Sequence, residues 1–277
     1  MPDQHKTLRA FDAVADGYDG SFSDTAVGKA QRTRVWHFLD RLLGEKTVTN
    51  VLECNCGTGV DAVWLAERGL QITATDASPE MVRITRQKAE TRGLNIRTAV
   101  CTLQQMHLAG EVAASAPYDL VFSDFGGLNC LSPDEIKKWN VDLQKIMTPD
   151  AQLVLVVMSR FSWWETLYFL MKLKPRTAFR RWSRKAVQAR LDADTTVPTW
   201  YYGPGELASL LPGFRLKKSC PVGFWLPPSY LDPFFRKRPR WLGMLKWLET
   251  KSAAGWLAPA ADHYFLLLER KSAEQAE

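Results

Sequence analysis

The sequence predicts an α/β protein built on a parallel, doubly wound sheet. Two observations carry that expectation. A strand, a glycine-containing loop and a helix follow one another over residues 51–69. Strand-like and helix-like segments then alternate as far as Met158. The 277 residues, 46% of them hydrophobic, can bury the core of one large domain with inserted caps.

Near the N-terminus, Phe11, Val14 and Tyr18 recur at helical spacing, and Gly17 and Gly20 bracket a turn. This segment reads either as an amphipathic helix lying on the core or as a cover over a ligand. A helix is expected over 26–43, with Val35, Trp36, Phe38, Leu39 and Leu42 turned inward. Val51 and Leu52 end a buried strand. Gly57 and Gly59 then allow a tight turn in which backbone approaches a ligand closely. A helix begins near Thr58 and stops at Gly69. A second strand, 71–75, ends at Asp76. Ser78 and Pro79 are an N-cap and first-turn pair for a helix running to about Arg92. A third strand, 96–100, leads to Cys101, Thr102 and Leu103.

The next strand opens at Tyr118 and Asp119, and its loop runs from Ser123 to Asn129. Ser132 and Glu135 form a capping box for a helix through about Met147. A turn at Pro149 and Asp150 precedes a fully buried strand over 153–158. Trp163, Trp164, Leu167 and Tyr168 then lie on a helical pattern, followed by a basic run that contains Trp182. A short helix ends near Leu211. Strands are expected over 214–220 and 263–269, with an insertion over 227–259.

Net charge is +6, which is compatible with anionic substrates or surfaces and is too small to indicate nucleic acid by itself. The first six residues lack the apolar core of a signal peptide, and no apolar run approaches a membrane span. A cytoplasmic protein is expected. The five cysteines form no disulfide framework. Cys54 and Cys56 have no second Cys/His pair at zinc spacing, so they read as packing residues and no metal site is expected.

Two carboxylates narrow the ligand. Asp76, at the tip of the second strand, suits hydrogen bonding to ribose hydroxyls. Glu53, just before the glycine loop, would repel a pyrophosphate but suits a cation. S-adenosylmethionine carries an ammonium and a sulfonium beside its ribose. The stretch Val51 to Gly59 therefore resembles motif I of the class I S-adenosylmethionine-dependent methyltransferases, with Asn55 at the usual first glycine. Ordered motifs extend the resemblance over about residues 10–160. Gly57, Gly59 and Ala62 also satisfy a loose dinucleotide pattern. A nicotinamide-dependent oxidoreductase thus stays open, although Glu53 argues against it. A non-catalytic cofactor- or lipid-binding module is a third reading.

The resemblance implies a Rossmann-like sheet, mostly parallel, with an antiparallel C-terminal edge hairpin. It implies a cofactor cradle of Glu53, Asn55, Cys56, Gly57, Thr58 and Gly59. Tyr18 would stand near the cofactor's carboxylate end, Asp76 and Ala77 near the ribose, and Met81 near the adenine. Thr102 stands where the family often places an acidic or amide side chain against adenine, with Leu103 beside it in the cofactor site, and Ser123 opens the loop at the strand edge. Segments 160–200 and 227–260 would be caps over the acceptor within a single domain.

Methyl transfer from a sulfonium needs alignment, exclusion of water and sometimes a base, but no fixed triad. Base candidates are Asp124, His263, His107, Tyr201 and Tyr202. Asp124 leads, because it follows the fourth strand. His263 begins a strand expected at the sheet edge, and His107 reads as structural. The proline turn of amino-methylating enzymes of nucleic acids is absent at Ser123–Gly126, and so is a Pro-Cys nucleophile at Cys130. The expected acceptor is therefore small or lipid-like. Aromatic and basic residues crowd the two caps, which suits peripheral contact with an anionic membrane. Alternatively the aromatics pack the caps while the arginines face water.

Overall fold

The computed structural model describes residues 2–191 and 195–271. Helix α1 (Pro2–Tyr18) passes through Gly17 without the expected turn, which comes instead as a π turn over Asp19–Ser23. Helix α2 (Ala26–Glu45) is capped by Thr25, whose side chain accepts from Gly28 N. Strand β1 (Asn50–Cys54) leads through the glycine loop to α3 (Val60–Ala66) and β2 (Gln71–Asp76). Ser78 caps α4 (Pro79–Thr91), which is followed by β3 (Ile96–Val100), α5 (Gly110–Ser115) and β4 (Tyr118–Ser123). The Ser132–Glu135 capping box starts α6 (Pro133–Leu143).

Strand β5 (Met147–Met158) begins earlier than the expected turn at Pro149 allows. Its pairing with β4 jumps from Tyr118↔Met147 to Leu120↔Gln152, so Pro149 and Asp150 sit in a bulge. A bulge tolerates proline because its missing N–H is not asked to pair. Next come α7 (Trp163–Met171), α8 (Pro175–Ala178) and the paired strands β6 (Val187–Arg190) and β7 (Thr196–Thr199). That hairpin was not expected: four-residue strands, one containing Pro198, give too little periodicity to read. The chain closes with α9 (Pro204–Ser209), β8 (Phe214–Val222), α10 (Asp232–Phe235), α11 (Pro239–Lys251) and β9 (His263–Arg270).

The main sheet has the order β3-β2-β1-β4-β5-β9-β8. Pairings from β3 through β5 are parallel, and both pairings of β9 are antiparallel. The expected edge hairpin is therefore present. Strand β9 is its inner member, however, so His263 starts a strand covered on both sides rather than an edge. The longer register, eight residues paired with β8 and seven with β5, favours that placement. Alternate side chains feed two cores. Val121, Leu153 and Leu155 pack with Trp139 of α6 on one face. Leu120, Phe122 and Val154 pack with Val35 and Leu39 of α2 on the other. Helices on both faces make the sheet doubly wound. The direction of winding reverses between β1 and β4, which opens a crevice at their C-terminal ends.

Candidate active site

A cavity of about 610 Å³ occupies that crevice. Its floor is the loop after β1 together with the tip of β2. Asn55, Gly57 and Gly59 hold φ values of +56°, +52° and +74°. Asparagine is among the few side chains that enter the left-handed region readily, so Asn55 does locally what a glycine would. Its amide donates to Ser123 Oγ at 3.2 Å and ties the loop after β1 to β4. A Cβ on Gly57 would meet nothing within 4 Å, so its open side faces the cavity. A Cβ on Gly59 would lie 2.5 Å from Thr85 Cγ2, so this glycine serves packing. Asp76 accepts from Gly57 N at 3.0 Å and Ser78 N at 2.9 Å, which fixes its carboxylate at the cavity wall. Burial raises its pKa despite these amide bonds.

Helix α1 forms the roof through Phe11, Val14 and Tyr18. The helix and the π turn after it are clamped to the floor by two hydrogen bonds, Ser78 Oγ to Asp12 of α1 at 2.5 Å and Thr58 Oγ1 to Asp19 of the turn at 2.6 Å. Burial pushes the Tyr18 phenol well above its ordinary range, so it stays a neutral donor.

Between the floor and the far end of the cavity lies a buried charge cluster. Oxygens of Glu53, Asp61 and Asp124 fall within 4.8 Å of one another, a set that could hold a metal ion. Here Arg32 enters it instead. Its guanidinium pairs with Asp61, which also accepts from Trp36 Nε1 at 2.6 Å, and lies 3.8 Å from Asp124. Neither oxygen of Glu53 has a hydrogen-bond partner, nor does Asp124 Oδ2, among the described residues. Burial, reinforced by Asp61 and Asp124, pushes the Glu53 carboxyl well up. Burial and Asp61 do the same to Asp124, against the pull of Arg32. Three carboxylates share one resident cation, so the cluster accommodates another positive charge.

The far end is built by the second half of the chain. Arg181, 5% exposed, bonds Glu165 at 2.7 Å and Asp262 at 2.8 Å. Asp262 lies 3.2 Å from His263 Nδ1. Burial would raise the Asp262 carboxyl, but Arg181 and then His263 hold it well below the usual carboxylate range. His263 meets the Phe125 ring edge-on at 5.4 Å. Phe125 has φ +39°, a strained value for a bulky residue; it meets Phe22 edge-on as well, and the Arg32 guanidinium lies 5.0 Å from its ring centroid. Tyr201, Tyr230 and Val197 complete this wall.

Of the expected site residues, Tyr18, Asn55, Cys56, Gly57 and Thr58 line the cavity, as do Asp76, Ala77, Met81, Asp124 and His263. Glu53 lies beneath it in the charge cluster. Gly59, Thr102, Leu103 and Ser123 are outside its described lining, and Leu103 belongs to the core. His107 lies 3.5 Å from Asp142 and outside the cavity's described lining, and the Tyr202 hydroxyl donates to Leu131 O within the core. Sequence reasoning missed Arg32, Asp61, Arg181 and Asp262. Arg32 did leave a signal. It shares a helix face with Val35, Trp36 and Leu39, and a charge on an inward stripe needs a buried partner. Arg181 left none, because a basic run reads as solvated. The structure inverts that reading, with Arg181 buried and Trp182 56% exposed.

Residues 51–160 match a protein family described as "Methyltransferase domain". The family match over 51–160 and the shared fold support a class I S-adenosylmethionine-dependent methyltransferase. Among similar proteins, the tRNA 5-carboxymethoxyuridine methyltransferase of Escherichia coli (strain K12) is 31% identical over 118 residues, 41% of this chain and 43% of that one. The demethylmenaquinone methyltransferase of Thermus thermophilus is 32% identical over 114 residues, 40% of this chain and 48% of that one. The match thus spans less than half the length of these curated relatives. The magnesium protoporphyrin IX methyltransferase of Synechocystis PCC 6803, solved with bound SAH, shares the fold at a TM-score of 0.59 and 15% identity, covering 97% of this chain and 100% of that one. The methyltransferase family's cofactor fits the residues present. The unpartnered Glu53 and Asp124 oxygens suit its ammonium, and the open side of Gly57 leaves room for it.

Proposed function

We propose that the protein transfers a methyl group from S-adenosylmethionine to a small or lipid-like acceptor in the cytoplasm. The observation that carries this reading is one continuous cavity whose wall joins the Gly57–Asp76 cradle to Arg181, Tyr201 and Tyr230 of the second half. In this reading 160–200 and 227–260 are caps over the acceptor. The five free cysteines suit a reducing compartment.

Asn55, Gly57 and Asp76 would hold the ribose end, Met81 the adenine, and Tyr18 with the Glu53–Asp61–Asp124 cluster the amino-acid end. When bound, the cofactor supplies an electrophilic methyl carbon on a positive sulfur. The chain's own residues orient the acceptor, exclude water and manage its proton. Asp124 stands at the junction of the two ends. Its raised pKa makes the ionised Asp124 carboxylate a stronger base toward the proton of a hydroxyl or amine. His263, whose Nδ1 lies 3.2 Å from Asp262, is the second candidate for that role. Arg181, locked between two carboxylates, positions Asp262 and thereby His263.

The test is transfer of radiolabelled methyl to lipid, aqueous small-molecule and RNA fractions of host extract. Label in the lipid or small-molecule fraction supports the reading. Label confined to RNase-sensitive material would replace it with a tRNA-type acceptor, as the E. coli relative's name describes. No transfer to any fraction, despite cofactor binding, would favour a non-catalytic module.

A further inference from the structure

We propose that the outer face of α11, with the turn before it, docks on an anionic lipid bilayer. Helix α11 turns Leu242, Leu245 and Glu249 inward. Helical spacing puts Arg240, Met244, Trp247 and Lys251 on the opposite face. Trp247 is 60% exposed, Met244 54%, and Trp241 on the flank 61%. Solvent-facing helices ordinarily mix acids with bases, and this one does not. Glu249, its only acid, accepts from Gly223 N and Trp225 N at 2.8 Å each. Asp232, at the start of α10, accepts from Val27 N at 2.9 Å. The outward charges of this segment are therefore all positive, and the cations Arg236, Lys237, Arg238, Arg240, Lys246 and Lys251 have no ion-pair partner among the described residues. Arg238 lies over the half-exposed Phe234 ring at 3.8 Å.

The surface continues toward the cavity. Trp164 of α7 meets Phe235 of α10 edge-on at 6.0 Å. The end of α7 leaves Met171 69% and Leu173 89% exposed beside Lys172 and Lys174. Tyr230, which lines the cavity, touches Tyr168 of the same helix. Tryptophan, methionine and leucine interleaved with unpaired cations match a headgroup layer, where rings and alkyl chains enter the interface while cations meet phosphates. Nucleic acid would use the cations and flat rings but gains nothing from Met171, Leu173 or Met244. The inference does not depend on which acceptor is methylated.

The experiment is cosedimentation of the full chain with vesicles of equimolar phosphatidylcholine and phosphatidylglycerol, against phosphatidylcholine alone. Binding is expected only to the anionic vesicles, and it should fall as salt rises. Replacing Arg236, Lys237, Arg238 and Arg240 by glutamine should weaken it roughly a hundredfold or more, each basic residue near an anionic surface being worth about fivefold. Trp241→Ser with Trp247→Ser should weaken it roughly tenfold with all charges kept. Affinity for S-adenosylhomocysteine should be unchanged in both variants, which shows that they are folded. Wild-type protein left in the supernatant at low salt would overturn the proposal. So would vesicle binding indifferent to the tryptophan changes, or tRNA binding that competes the protein off the vesicles.

Discussion

Glu53→Gln should strengthen the protein and weaken its hold on the cofactor, two effects of opposite sign from one atom exchange. Glu53 is fully buried with no hydrogen-bond partner, and its oxygens lie within 4.8 Å of those of Asp61 and Asp124. A cation touching either aspartate would sit within about 8 Å of Glu53, where an ionised carboxylate attracts it by ~2 kcal/mol at an effective dielectric of about 20. Its loss should raise Kd about 30-fold. At pH above the raised pKa, where Glu53 is ionised, neutralising this unpartnered carboxylate should stabilise the protein alone by about 1 kcal/mol, or about 2–4 °C in Tm. The pH dependence carries the same logic. Burial with the neighbouring aspartates raises the folded pKa values of Glu53 and Asp124 above their unfolded ones. The folded protein then keeps protons that the unfolded chain has lost, so this contribution to stability is present at acid pH and declines as pH rises through the raised values. A bound ammonium favours the ionised carboxylates, so affinity should rise with pH and binding should release protons. Calorimetric titration with S-adenosylhomocysteine from pH 6 to 8, in buffers of different ionisation enthalpy, reads both, and thermal unfolding reads the stability. Unchanged affinity in Glu53→Gln, or wild-type binding with no proton release, would refute the reasoning.

Asp76→Ala should weaken binding of the same ligand by about 1.5–3 kcal/mol, the scale of hydrogen bonds to a charged group, and a folded variant of unchanged affinity would sink its role. Gly57→Val should abolish binding in a folded protein, because the side chain enters the space that the loop leaves open and the residue has φ +52°; a normal titration would show that the loop does not carry the cofactor. Asp124→Asn should lower turnover more than cofactor affinity and flatten the acid limb of the pH–rate profile, whereas an unaltered profile would reduce Asp124 to a structural residue. Arg181→Met leaves Asp262 buried without its arginine and Glu165 with Arg180 alone, and should cost about 3–5 kcal/mol in urea unfolding, and a loss below about 1 kcal/mol would show that the triad is not energetically coupled.

What the sequence determined by itself is what short-range chemistry writes. The strand–loop–helix unit, the Ser78 and Ser132 caps and the two strand-end carboxylates are local features, legible because each depends on neighbours within a few residues. Asn55 also belongs here: a left-handed position rejects most side chains and tolerates asparagine, so the substituted glycine keeps the loop. Tertiary structure alone decided the rest. Arg32 meets Asp61 and Asp124 only because α2 crosses the switch point, and Arg181 meets Glu165 and Asp262 across 16 and 81 positions of chain. That pairing buries Arg181 while its neighbour Trp182 faces outward. Hydropathy assigns each residue a side by its own solvation. A buried carboxylate reverses that assignment for its partner, because the energy of an unpaired charge in a low-dielectric interior exceeds what the transfer of one indole can supply.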